Sequence, residues 1–391
     1  MRILVLSHEF PPIGGGGGHV AKDLCQGLSE LGHEIKILTA GILGGIDDET
    51  GSTKKAYEII RLPTLRKDPS RANMVAMVSY IIISIFRGFF LCMNWRPDVI
   101  HVHFAVPAGP ISWVLSKLTG IPYVLTVHLG DIPGGTPDKT DKWFRFIQPF
   151  TYPIWKHAEQ VIAVSQFSRS LAQKHYPVPI KVIHNGVDIR KFKPEQNIVH
   201  DPTQIIFAGR FVPQKNPILV IRILADLADY SWELTMLGDG PLYKETIQEI
   251  KKHGLEDRIK TPGWVNPEVV KKEFEKSDIL FLPSKSEGLP VVGVQALASG
   301  LAFMVSDIGG FGDIVEQGKN GFRVPLEEPD CKDLFVHGLS EMIGNKEKLL
   351  FFKESSNRMA EKFDINEITK QYDLILNQSA QKNRKNAKQD S

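Results

Sequence analysis

Residues Ile279 to Gly300 read ILFLPSKSEGLPVVGVQALASG, an apolar strand, a broken turn and a helix of small residues in one run. Ile279 to Leu282 is too short for a helix and unbroken enough for a strand buried on both faces. Gly288 and Pro290 then interrupt the chain, and Val291 to Ala298 reads as a helix starting at the interruption. A helix N-terminus presents unpaired amides and positive partial charge, so an anion is its natural ligand. Glu287 puts a carboxylate on the loop in front of it, and eight positions later Gln295 falls on the helix. Alone, the run also fits an ordinary strand-to-helix turn with a solvated Glu.

The same pattern repeats along the chain. Apolar runs at Ile3–Leu6, Ile35–Leu38, Val99–Val102, Tyr123–Val127, Val161–Val164 and Val182–Ile183 alternate with helical stretches such as His19–Leu31 and Ala108–Leu118, which stop at Gly32 and Gly120. After Asp188 the polar segment RKFKPEQNIVHDP reads as a linker. The alternation then restarts with strands at Ile205–Ala208, Leu234–Leu237, Arg258–Thr261, Ile279–Leu282 and Phe303–Ser306, separated by helices. The expectation is an α/β chain of two doubly wound parallel-sheet domains facing a central cleft: 1–188, a linker at 189–203, and 204–365. The last stretch, QKNRKNAKQDS, reads as a polar, frayed tail over 381–391.

With 391 residues the chain exceeds what one core usually serves. A net charge of +2, with no zinc spacing and no basic block in the body, argues against nucleic acid as a partner. Cys25, Cys92 and Cys331 form no C-x-x-C pair, so a reducing compartment is expected, and MRILVLSHEFPP reads as a first strand rather than a signal peptide. The protein is expected to be cytoplasmic. Met74 to Met93 is long enough to cross a bilayer, but Arg87 near its middle opposes a span. The preferred reading is a helix buried on a sheet face. The other is a peripheral contact with the inner leaflet of a membrane, helped by Arg61, Arg66, Lys67 and Arg71.

Three further segments carry candidate chemistry. PPIGGGGGHV, 11–20, lies between strand one and helix one, where five glycines suit close backbone approach to a phosphate. His19 after them, in place of Lys, disfavours a P-loop, and no acid ends strand two as a dinucleotide-binding fold would want. His128 in LTVHLGD sits just past the carboxyl end of a strand, where ligands bind in open α/β sheets, and Asp131 is placed to orient it. His101 and His103 are left as structural. Arg210 and Lys215 in AGRFVPQKN share one loop and suit a diphosphate, Arg as a bidentate fork and Lys as a point charge. HNGVD and LGDGPL are turn signals first.

Taken together, and in this order, PPIGGGGGHV, HNGVD, GRFVPQKN, LGDGP, SEGLP and DIGGFGDIVEQGKNGF make the chain resemble the GT-B glycosyltransferases of family GT4, the retaining group that uses nucleotide-diphosphate sugars. The resemblance implies two Rossmann-like domains and a last helix, about 366–380, crossing back to the first. It implies that Gly15 and Gly16 approach the donor phosphates, that His128 sits at the reacting centre, and that Arg210 and Lys215 neutralise the leaving diphosphate. Glu287 would hold hydroxyls of the transferred sugar, Gly288, Leu289, Pro290 and Val291 would line its pocket, and the base would lie near Gly263 to Val265. Catalytic roles are thus expected for His128, Glu287, Arg210 and Lys215.

No metal and no cofactor besides the nucleotide-sugar co-substrate is expected, since fixed cations and helix amides can carry the leaving-group charge. The acceptor implied is lipid-linked or a saccharide, in polysaccharide, glycolipid or cell-envelope biosynthesis. One departure stands out: the family has a second Glu where this chain has Gln295, which removes a charged acceptor for the ribose. Leu129 replaces a Gly often found after this His. The alternatives are a catalytically silent sugar-nucleotide binder and an NDP-sugar epimerase on the same scaffold; an NAD-dependent oxidoreductase fails on the missing acid.

Overall fold

The computed structural model describes residues 1–43, 57–68, 72–194 and 196–389, apart from the side chains of 137–146 and 383–389. The chain divides into two compact units, Met1–Gly186 with Ile365–Ser391, and Val187–Asp364.

The first unit is built from β1 (Arg2–Leu6), α1 (Gly16–Glu30), β2 (Glu34–Ala40), β3 (Glu58–Leu62), α2 (Met74–Trp95), β4 (Val99–His103), α3 (Ala108–Thr119), β5 (Tyr123–Val127), α4 (Pro137–His157), β6 (Gln160–Ala163), α5 (Gln166–Gln173) and β7 (Ile180–Val182). Its seven strands are all parallel, in the order β3-β2-β1-β4-β5-β6-β7. Alternate residues of each strand serve opposite cores: Leu4, Leu6, Ile100 and Val102 on one face, Ile3, Val5, Val99 and Val124 on the other. Both faces are therefore covered, which explains why these strands read as continuous apolar runs rather than alternating ones.

The second unit continues with α6 (Ile189–Phe192), β8 (Thr203–Ala208), α7 (Pro217–Ala225), β9 (Trp232–Leu237), α8 (Tyr243–Lys252), β10 (Ile259–Gly263), α9 (Pro267–Glu275), β11 (Ile279–Leu282), α10 (Val291–Ala298), β12 (Ala302–Ser306), α11 (Phe311–Ile314), β13 (Gly321–Val324), α12 (Cys331–Gly344) and α13 (Lys346–Ala360). Six parallel strands run β10-β9-β8-β11-β12-β13. The last helix, α14 (Ile365–Gln389), returns to the first unit, where Ile368, Tyr372, Ile375 and Leu376 join the core beside α1.

In each sheet the order reverses once, between β1 and β4 and between β8 and β11. Those switch points, at the carboxyl ends of the strands, are where open α/β sheets bind ligands. An ion pair is buried beneath the second sheet's core: Lys353 lies 2.7 Å from Asp278, whose carboxylate also accepts the amides of His200 (3.2 Å) and Gln204 (2.9 Å).

Three expectations need correction. The 189–203 segment is not a spacer: Val187 pairs with Asp364, Asp188 caps α6, and the Asp278 carboxylate ties down residues 200 and 204. Residues 381–389 do not form a separate tail but prolong α14, an uninterrupted helix to Gln389. Helix α1 starts at Gly16, inside the glycine run. Helix α2 packs on the first unit as expected, but with one side only. Ala76, Tyr80, Ser84, Gly88, Cys92 and Trp95, recurring every three or four residues, bury one face, while the opposite face is exposed. Of the basic residues upstream of α2, Arg71 lies outside the described residues, and Arg66 is buried, donating to the His8 carbonyl at 3.2 Å.

Candidate active site

In the second unit the loops after β8, β11 and β12 converge. The β8 loop is folded on itself by Lys215 N–H to the Val212 carbonyl (2.9 Å) and ends at Asn216, whose positive φ of 54° hands the chain to Pro217 of α7. It is tied to the β11 loop by Lys285 N–H to the Gln214 carbonyl (2.7 Å) and by the Gln214 amide to the Ser286 carbonyl (2.8 Å). These bonds bring the Lys215 ammonium onto the Glu287 carboxylate in a direct ion pair, the two side chains being 14% and 7% exposed. Two residues 72 positions apart thus form one buried unit because β8 and β11 are neighbours.

The β12 loop presses on the same place. A side chain at Gly309 would meet the Glu287 carbonyl at 1.8 Å, and one at Gly310 the Gly288 carbonyl at 1.6 Å, so glycine is obligatory at both. The Gly310 amide donates to the Glu287 carbonyl at 3.2 Å. With its backbone held, Glu287 stands before the N-terminus of α10, which has Pro290 as N-cap and Val291 as first residue. Gly288 and Val291 are half-buried, Leu289 and Pro290 buried. Gln295 is half-buried one turn further on, sharing a helix face with Val291 at i, i+4 spacing. Arg210 is exposed and makes no ion pair among the described residues. Val265 is half-buried beyond β10, next to Trp264, an indole 75% exposed within the stretch expected at the base.

In the first unit His128 follows β5. Its amide donates to Asp131 Oδ2 at 2.8 Å, and the Val106 amide donates to Asp131 Oδ1 at 3.2 Å, so Asp131 organises the loop rather than the imidazole. Burial pushes Asp131 up to about 7 even against those amide hydrogen bonds. Burial likewise holds His128 down to about 4, which leaves a neutral ring at neutral pH, with Nε2 buried and unpartnered. Phe104 stacks on that ring at 4.5 Å, held there by a positive φ of 74°, rare for a bulky residue and a mark of a constrained site. Leu129 is buried against the turn that ends at Gly135, so its side chain serves packing. His101 and His103 are fully buried; His101 Nε2 lies 3.0 Å from the Thr126 hydroxyl.

Gly15 and Gly16 are exposed, as N-cap and first residue of α1. The Gly15 amide, however, donates to Glu9 Oε2 at 3.0 Å, so a carboxylate already sits at this helix start. The glycines around it are required for different reasons. Gly14 has φ 98° and leans on Glu9, while a Cβ at Gly17 would lie 2.6 Å from the Phe104 ring. Glu9 and Phe104 are the residues that the sequence reading missed. Phe104 directly follows β4 and Glu9 stands three residues past β1, but position alone marks neither, and loop composition drew attention to the glycines instead.

Comparison with known proteins agrees with this layout. The Glycosyltransferase Family 4 model matches residues 14–191 and the Glycosyl transferases group 1 model matches 188–362. The chain is 28% identical to an uncharacterized glycosyltransferase of Methanocaldococcus jannaschii, over 93% of this chain and 94% of that protein. It is 27% identical to an Escherichia coli UDP-Gal:alpha-D-GlcNAc-diphosphoundecaprenol alpha-1,3-galactosyltransferase, over 73% and 75% of the two. The fold matches that of Anabaena HepE, solved in complex with UDP and glucose, with a TM-score of 0.76, 19% identity, and coverage of 97% and 100%. Two parallel-sheet units with a returning last helix, and two family models laid end to end along them, place this chain among the GT-B glycosyltransferases of family GT4, and it is a transferase enzyme.

Proposed function

We propose that the enzyme is a retaining glycosyltransferase that takes its sugar from a nucleotide diphosphate. The observation that carries this reading is the Lys215–Glu287 pair at the second unit's switch point, in front of the α10 N-terminus and with Arg210 in the same loop as Lys215. Breaking the bond from sugar to diphosphate builds negative charge on the leaving group. Lys215, Arg210 and the first amides of α10 meet that charge with groups already in place, which is the form of electrostatic stabilisation that needs least reorganisation. Glu287 accepts hydrogen bonds from hydroxyls of the transferred sugar. His128, neutral, offers a hydrogen-bonding nitrogen without a competing positive charge.

Gln295 contributes an amide to the ribose, and Trp264 beside Val265 supplies an aromatic face for the base. No divalent ion is required, since the leaving-group charge is met by protein cations. The relative that acts on a diphosphoundecaprenol-linked sugar supports a lipid-linked acceptor, and the HepE complex supports a uridine nucleotide. The setting proposed is cytoplasmic, in polysaccharide or cell-envelope assembly.

Thermal-shift profiling with UDP-, GDP- and ADP-sugars, followed by donor hydrolysis with and without EDTA, tests this reading. One donor should stabilise the protein and be turned over in EDTA. Absence of any donor response, or activity restored only by added Mg²⁺ or Mn²⁺, would overturn it. Gln295 in place of an acid favours one rival, a silent binder, which would show the thermal shift but no transfer on an acceptor panel.

A further inference from the structure

Helix α2 is apolar on both of its faces yet buries only one of them. Its inner face is fixed to the first unit: Tyr80 OH donates to the Leu38 carbonyl at 3.0 Å, the Trp95 indole donates to Glu34 at 2.7 Å, and Gly88 makes room for Leu115. A helix held along its whole length in this way cannot stand across a bilayer.

Its outer face carries Val75, Val78, Ile82, Phe86, Phe90 and Met93, spaced by three or four residues in one stripe and exposed from 47% at Val78 to 67% at Phe86. The stripe extends over most of a helix about 33 Å long. Six large apolar side chains, each about half exposed or more, make one contiguous patch on the scale of the largest on a typical soluble monomer, roughly 300–600 Å², and patches of that size are often functional.

Charge indicates what covers it. From Ile59 to Gly130 the sequence holds seven Lys and Arg against two acids, Asp68 and Asp98, although the whole chain is only +2. Neither α2 nor α3 contains an acid, and Lys67, Arg87, Arg96 and Lys117 are exposed. A second copy of the same basic surface would be repelled; an anionic bilayer would be attracted. An apolar stripe with basic residues around it is the pattern of a helix lying in the plane of a membrane interface.

We propose that α2 is a membrane-docking helix, seated flat in an anionic lipid surface with its stripe at the headgroup–acyl boundary. The inference is independent of the donor chemistry. The test is flotation of the full chain with vesicles of phosphatidylcholine alone or of phosphatidylcholine with phosphatidylglycerol, at low and high salt. The wild-type chain should float with the anionic vesicles and about tenfold less with neutral ones or in high salt. Phe86→Ser with Phe90→Ser should lose about tenfold or more, and Lys67→Glu with Arg87→Glu and Lys117→Glu should lose only the anionic preference. Both variants should keep the wild-type melting curve and donor thermal shift, which separates failure of docking from failure of the transferase reading. Equal flotation of wild type and the Phe variant, no flotation with anionic vesicles, or a dimer abolished by Phe86→Ser would overturn the proposal.

Discussion

Replacing Lys215 with Met separates the structural and the chemical roles of the buried pair. With the ammonium gone, the Glu287 carboxylate, 7% exposed, is left without its cation. Breaking one partner out of a buried pair costs about 3–5 kcal/mol, because the survivor has lost water and gained nothing. Lys215 retains some contact with solvent at 14% exposure, so the lower end applies, about 3 kcal/mol. At ~2–4 °C per kcal/mol for a unit of this size, the second unit's transition should fall by roughly 6–12 °C. Glu287→Gln in the same chain removes the stranded charge, so the double variant should recover about 2 kcal/mol of the loss.

Turnover should not recover with it. The diphosphate loses its cation in either background, and removal of one preorganised stabilising group typically lowers turnover by about 10²–10³. The assay is a double-mutant cycle by urea denaturation, alongside donor hydrolysis at a temperature below every transition. Stability losses that simply add, or that stay under about 1 kcal/mol for Lys215→Met, would refute the account of burial. A Lys215→Met enzyme with wild-type turnover would refute the account of catalysis.

Lys353→Met breaks the other buried pair, with Asp278, and should cost a similar ~3–5 kcal/mol by denaturation yet leave turnover at permissive temperature within about twofold; a kinetic defect equal to that of Lys215→Met would remove the distinction. Acidification should destabilise the first unit. Burial holds His8 and His128 at about 4, His101 at about 3 and His103 well below the usual range, so below 6.5 the unfolded rings take protons that the folded ones refuse, and stability present above 6.5 is lost as pH falls toward 4. Asp131, raised to about 7, acts oppositely over the same window, leaving a net difference of about three protons and a ceiling of roughly 4 kcal/mol per pH unit; a urea midpoint that stays flat between pH 6.5 and 4.5 would contradict this. Gly17→Ala puts a Cβ within 2.6 Å of the Phe104 ring stacked on His128, and an overpacking cost of about 1–3 kcal/mol should appear with a drop in turnover; unchanged kinetics would mean that the stack does not matter. Gln295→Glu should tighten donor binding about fivefold to tenfold, by the difference between a neutral and a charge-assisted hydrogen bond to the ribose, and calorimetric affinity equal to wild type would place Gln295 outside the site.

The strands buried on both faces were legible, because Ile3–Leu6, Val99–Ile100 and Ile279–Leu282 are short unbroken apolar runs set between helical stretches, the pattern of a covered parallel sheet. Strand β3, EIIRL, was not: at the sheet edge, its residues are mostly half-exposed and carry charge at two of five positions. That α2 packs on a sheet face was legible but the width of the packed face was not, since hydropathy does not separate the side carrying Tyr80, Gly88 and Trp95 from the side carrying Val78, Phe86 and Phe90. At the site, each loop could be recognised from its own residues, but the Lys215–Glu287 contact could not. It depends on which strands are neighbours, and that order is set by the packing of the whole sheet. Phe104 was invisible because its importance lies in a backbone angle, and Glu9 because a single carboxylate after a strand has no periodic signature.

Burial explains how the two switch points differ. In the first unit the buried titratable groups around His128 are held by desolvation toward their neutral forms, the imidazoles downward and Asp131 upward. Such a site can hydrogen-bond, but it has little to offer a diphosphate. In the second unit Glu287 is compensated by Lys215 before any ligand arrives and Arg210 stands exposed, whereas Arg66, the guanidinium near His8, is buried and donates to the His8 and Asp68 carbonyls. A phosphate approaching α1 would also have to displace the Glu9 carboxylate from the Gly15 amide, whereas none of the described hydrogen bonds of Glu287 blocks the start of α10. Gly14 and Gly17 are glycines chiefly because Glu9 and Phe104 occupy the space beside them, so within the run it is Gly15, beside which a Cβ would meet nothing within 4 Å, that keeps room for the close approach of a ligand.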